Sequence, residues 1–133
     1  MKVVFSQTGD FQRTKGKEVM EALLKSPEGA SINALYAHND DMALGAIQAI
    51  EEAGKKPGKD IVIVSIDGIG DAFDAMIAGK MNCTVECNPL LGPPLFDAIA
   101  KALKGEEQPK RTVMKDGIFD ESVAKAERPN RKY

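Results

Sequence analysis

Ile61-Val62-Ile63-Val64-Ser65-Ile66 is a run of β-branched residues interrupted only by Ser65. A run without polar alternation has no wet face, and strands of that kind lie at the centre of parallel sheets covered on both sides. It closes on the turn pair Asp67-Gly68. Outward from it, strand-like and helix-like periods alternate, and each switch falls on turn residues, which is the pattern of successive β and α units. Upstream, Asp40–Ala53 carries Met42, Leu44, Ile47 and Ile50 at helical spacing, with two acids at its positive end and Gly54 after it. Ile32–Ala37 reads as a strand. Asp10–Lys25 reads as a helix with Asp10 as its cap and Ser26-Pro27 as its stop, preceded by a first strand, Val3–Ser6. Downstream, Asp71–Ala78 is a short helix ended by Gly79, and Asn82–Cys87 is the next strand. Pro89, Pro93 and Pro94 then turn the chain into an amphipathic helix bearing Leu95, Phe96, Ile99 and Leu103, closed by Gly105. Arg111–Met114 is expected to be a last strand, followed by a polar tail.

This order predicts an α/β fold: an open, mostly parallel sheet with right-handed crossovers and helices on both faces. Ligands of such sheets bind outside the carboxyl ends of the strands, which singles out Gln7–Phe11, His38–Asp41, Asp67–Gly70 and Glu86–Asn88. The 133 residues suffice for one domain with a real core, not for two full lobes. Eighteen basic and 20 acidic residues are scattered to a net charge of -2, so there is no positive field to hold a phosphate backbone, and nucleic acid is not an expected partner. No apolar run approaches the roughly 18 residues of a membrane span, so membrane insertion is not expected either. Met1–Ser6 supplies only a fragment of an export signal and reads as a strand instead. Cys83 and Cys87, four apart in an extended segment, would lie about 13 Å apart. A disulfide spans no more than about 7 Å between Cα atoms, so both are read as free packing residues.

Ala37-His38-Asn39-Asp40-Asp41-Met42-Ala43-Leu44-Gly45-Ala46 resembles the strand-to-helix junction of periplasmic sugar-binding proteins of ABC transporters, the ribose-, galactose- and particularly galactofuranose-binding kind. The resemblance implies that Asn39 hydrogen-bonds sugar hydroxyls, which need both donors and acceptors, as a carboxamide provides. A capping role for Asn39 is the alternative, with Asp40 expected to take the cap and leave it free. Three more segments match in the same order. Gly9-Asp10-Phe11-Gln12-Arg13 is similar to the family segment whose phenylalanine covers a sugar ring; Phe11 could otherwise belong to the first helix's core. Ser65-Ile66-Asp67-Gly68 is similar to the strand end whose aspartate accepts from hydroxyls, the other reading of Asp67 being a simple turn former. Thr84-Val85-Glu86-Cys87-Asn88-Pro89 resembles the last strand and the hinge after it. Ribose receptors carry a glutamine where Cys87 stands, which puts ribose in doubt and makes Glu86 a candidate second acceptor or an exposed carboxylate.

The resemblance implies a type I periplasmic binding protein lobe, incomplete, with residues 1–88 forming a carboxy-terminal sugar-binding lobe that lacks its first β-α unit. Residues 89–133 would be the hinge crossing, a helix and strand that belong to an absent amino-terminal lobe, and a tail. It further implies a periplasmic parent protein that binds a monosaccharide, galactofuranose-like or another aldose, and presents it to an ABC permease. The missing lobe, a companion chain or self-association is expected to cover the unpaired faces. Catalysis, metal and cofactor are not expected. Gly68-Ile69-Gly70-Asp71-Ala72-Phe73 opens like a dinucleotide fingerprint, but Phe73 blocks its third glycine position. His38 is the sole histidine, and no nucleophile–base set can be assembled around it. The effector domain of a lac-repressor-like regulator shares the Asn-Asp-x-Met-Ala junction and is the alternative, though no DNA-binding segment accompanies it here.

Overall fold

The computed structural model describes residues 2–133. Its sheet has four strands in chain order, β1 (Ala34–Tyr36), β2 (Val62–Asp67), β3 (Cys83–Glu86) and β4 (Ile118–Asp120). The first three run parallel, with Tyr36 opposite Val64 and Asp67 opposite Glu86, and β4 closes the sheet antiparallel to β3. Five helices accompany it: α1 (Arg13–Lys25), α2 (Asp40–Glu52), α3 (Gly70–Ile77), α4 (Gly92–Leu103) and α5 (Glu121–Glu127). The result is the expected α/β fold with an open, mostly parallel sheet.

Burial explains why these segments order. Ile61, just before β2, and Ile63 within it are fully buried, and Ile50 of α2, Phe73 and Met76 of α3, and Met81 pack into the same core. The expected turn glycines do their work: Gly54 and Gly79 take φ values of 75° and 68° just past α2 and α3, where side-chain-bearing residues would be strained. Helices α1 and α2 touch backbone to backbone, since a Cβ on Gly45 would collide with the carbonyl oxygen of Arg13. That contact fixes the start of α1, and so the loop before it, against the start of α2.

Three expectations at the edges are corrected. Val3–Ser6 forms no strand, and Val3, Val4 and Phe5 are exposed; β1 pairs only with β2, and a strand exists only where a neighbour takes its hydrogen bonds. Asp10 does not cap the first helix. Asp10 and Phe11 instead occupy the left-handed region at φ 50° and 56°, in a turn closed by Gln12 N–H donating to the Gly9 carbonyl, and α1 begins two residues later with Gln12 at its cap. Arg111–Met114 is likewise not a strand. The last strand is Ile118–Asp120, and the polar tail folds into α5 and a 3₁₀ turn, Arg128–Asn130, packed against α3. Residues 118–133 thus return to the same sheet. The segment between β3 and β4 carries α4, whose amphipathic face is as expected but in which no residue is buried.

Candidate functional site

The carboxyl ends of β1, β2 and β3 gather the loops that the sheet geometry singles out. Phe11 stands at the tip of its left-handed turn, 65% exposed, so its ring belongs to no core. Two consecutive non-glycine residues at positive φ are strained, and such strain collects at ligand-contacting turns. Asn39 connects this turn to the sheet. Its Oδ1 accepts from Met42 N–H at 2.9 Å and its Nδ2 donates to the Phe11 carbonyl at 3.2 Å. Asn39 is therefore the cap of α2, against the expectation that Asp40 would be. A carboxamide has two N–H donors and two acceptor lone pairs, so one of each remains after both bonds.

Asp40 faces inward instead and is fully buried. It accepts from the hydroxyls of Ser65 and Thr84 and from the backbone N–H groups of Gly68 and Ile69. Burial pushes its carboxyl pKa up, while these four bonds pull the other way. The loop so held carries Asp67, which is half-buried with φ at 128°, outside the comfortable range of any residue with a side chain. Its carboxyl pKa is raised, first by burial and then by the charges of Asp40 and Asp41, with the Asp40 backbone N–H opposing. At the rim, Arg13 bridges the first turns of α2 and α3, its Nε donating to Asp41 at 2.8 Å and its terminal nitrogen to Asp71 at 2.9 Å.

Glu86 is placed differently from Phe11, Asn39 and Asp67. Its carboxylate accepts from Arg131 at 2.8 Å, from the Tyr133 hydroxyl at 2.7 Å and from Gly117 N–H at 3.0 Å, and only 9% of its side chain is exposed. Burial alone would raise its pKa; the hydrogen bonds from Tyr133, Gly117 and Arg131 outweigh it and hold the group below the usual carboxylate range. Burial and the same carboxylate push the Tyr133 phenol up to about 12. The Arg131 guanidinium lies 5.2 Å from the Phe73 ring centre and 4.7 Å from that of Phe119. Glu86 thus fastens the returning chain to β3, with three of its carboxylate's four acceptor positions taken. Sequence reasoning missed Asp40, Arg13, Arg131 and Tyr133. One signal was available: a serine in an otherwise apolar strand needs a buried partner, and Ser65 points to Asp40.

Comparison with known proteins bears on this arrangement. A periplasmic binding protein domain model matches residues 1–107. The chain belongs to the periplasmic binding protein family. Among its relatives in that family is the galactofuranose-binding protein of Escherichia coli strain K12, 48% identical over 134 aligned positions that cover 99% of this chain and 42% of the relative. The ribose import binding protein of Bacillus subtilis strain 168 is 40% identical over 111 positions, 83% of this chain and 34% of the relative. The arabinose-transporter binding protein of Shewanella sp. ANA-3, solved with α- and β-L-arabinofuranose, superposes with a TM-score of 0.90 at 53% identity, covering 98% of this chain and 44% of that one. The chain therefore spans less than half the length of these family members.

Proposed function

We propose that this chain is the sugar-binding lobe of an ABC-transporter receptor, which captures a monosaccharide between two lobes and makes or breaks no bond. The observation that carries this is the placing of Phe11, Asn39 and Asp67 on three linked loops at the carboxyl ends of the sheet, each with unspent capacity for a polyol. Phe11 offers an exposed ring to a C–H face, Asn39 one donor and one acceptor, and Asp67 a carboxylate matched to no cation. A charge-assisted bond to that carboxylate offsets the desolvation of a hydroxyl. Glu86, expected from sequence as a further acceptor, is better suited to holding the loop beside the site. The named relatives bind galactofuranose, ribose and arabinofuranose, which supports an aldose ligand and favours a transport receptor over a regulator. Delivery to a membrane permease, a periplasmic location and a second lobe seated on the crossing segment, including α4, belong to the same proposal. Calorimetry on the complete two-lobed protein tests it: Asp67→Ala is expected to weaken binding of the cognate pentose or hexose by roughly 2–4 kcal/mol. Unchanged affinity would remove Asp67 from the site.

A further inference from the structure

Asp40 is the most completely buried ionisable side chain beside the site, and among the described residues it touches no cation. A carboxylate taken out of water persists only where donors replace its hydration. Here the donors come from three places: the Ser65 hydroxyl on β2, the Thr84 hydroxyl on β3 at 2.8 Å, and the Gly68 and Ile69 amides of the intervening loop at 2.7 and 2.9 Å. One side chain of α2 therefore ties two strands and a loop together.

The loop amides matter most, because of what lies on the other edge of the same peptide plane. The Asp67 carbonyl accepts from Cys87 N–H at 3.0 Å, while the Gly68 N–H of that plane donates to Asp40 and, at 3.2 Å, to the Thr84 hydroxyl. A peptide gripped on both edges cannot rotate. Asp67 sits just before it at φ 128°, a conformation that persists only where the surroundings over-determine it. The geometry points to Asp40 as the positioning residue that holds the Asp67–Gly68 peptide and so aims the Asp67 carboxylate. Asp40 does not reach a ligand itself, since none of its surface is exposed. The consequence for affinity rests on the proposed sugar-binding role of Asp67; the consequence for the loop does not.

Three variants of the full 133-residue chain separate these statements. Asp40→Ala removes the carboxylate that both amides share, leaving Gly68 N–H only its longer bond to the Thr84 hydroxyl. Asp40→Asn is the conservative rescue, because its carbonyl can face the two amides while its NH₂ donates to the hydroxyl oxygens. Ser65→Ala removes a single donor and serves if Asp40→Ala does not fold. Amide hydrogen exchange and carboxyl carbon shifts by NMR are the first readout. Gly68 and Ile69 are expected to exchange at least about tenfold faster in Asp40→Ala relative to core amides such as Ile63, with the Asp67 carboxyl resonance displaced, Asp40→Asn intermediate and Ser65→Ala altered in the same direction. Uniform acceleration across the core, or an unmoved Asp67 resonance, would mean that Asp40 only stabilises the fold. Titration of the complete two-lobed protein carrying the same substitutions with L-arabinose and with D-galactose is the second readout, with affinity expected to fall at least about tenfold in Asp40→Ala and less in Asp40→Asn. A loosened loop with undiminished sugar affinity overturns the positioning role for the ligand. If neither sugar binds the unsubstituted two-lobed protein, the sugar-binding reading fails, and the exchange and carboxyl readouts alone decide what Asp40 holds.

Discussion

Helices α3 and α4 have the same design and opposite fates. Both carry an apolar stripe along one face, yet five of the eight residues of α3 are buried while none of the twelve of α4 is. Phe73 of α3 is inaccessible, its ring 5.2 Å from that of Phe119, whereas Phe96 of α4 is 70% exposed and Leu103 84%. An amphipathic pattern states that a face gains by burial; it does not state that the same stretch of chain supplies the cover. Helix α3 finds its cover in α2, α5 and the residues returning after β4. Helix α4 lies on the crossing between β3 and β4, and in this chain its face has no such cover.

Substitutions that treat the two helices alike give the sharpest test. Phe73→Ala is expected to cost about 3–5 kcal/mol in chemical denaturation, since it empties a fully buried position beside Phe119 and Arg131. A loss below about 1 kcal/mol would show that α3 is no better seated than α4. A middle effect comes from the residues that fasten the returning chain. Tyr133→Phe removes the hydroxyl donated to Glu86 and is expected to cost about 1–2 kcal/mol near neutral pH. The sign of its pH dependence follows from a folded pKa of about 12 above the ordinary value of 10. The stabilisation is complete below pH 10 and lost as the pH rises through about 12, and subtracting the variant's ultraviolet titration from the parent's isolates that phenol. Glu86 runs the other way, its contribution present above the ordinary glutamate pKa of about 4.3 and lost on acidification through its lower folded value. The smallest effect is expected on α4, where Phe96→Ala should shift stability by no more than about 0.5 kcal/mol while weakening self-association in sedimentation. A large loss of monomer stability there would mean that α4 is covered by its own chain after all.

The same contrast explains what could be read in the residues alone. Strand β2 and helices α2 and α3 were legible because their signals are local: an unbroken β-branched run, helical spacing and a glycine past each helix end. The edges were not legible. Val3–Ser6 has strand-like residues but no neighbour, while Ile118–Asp120 is only three residues long and becomes a strand because β3 lies beside it. Tyr133 and Arg131 reach Glu86 across 47 and 45 positions, a separation no local pattern reports. The candidate site residues Phe11, Asn39 and Asp67 could be picked out from their loops. Asp40 reads as a cap because an acid at the start of a helix ordinarily is one, whereas its burial depends on two hydroxyls from β2 and β3.

The grip on the Asp67–Gly68 peptide also bears on how the molecule ages. An aspartate followed by glycine is prone to cyclise to a succinimide and reopen as isoaspartate, a reaction in which the glycine nitrogen, losing its proton, attacks the protonated side-chain carboxyl carbon and water leaves. In the folded chain that proton is donated to Asp40 and Thr84, and the peptide cannot turn its nitrogen toward the Asp67 carboxyl. The bond that aims the carboxylate thereby keeps it chemically intact, and this protection lasts only as long as the loop stays folded.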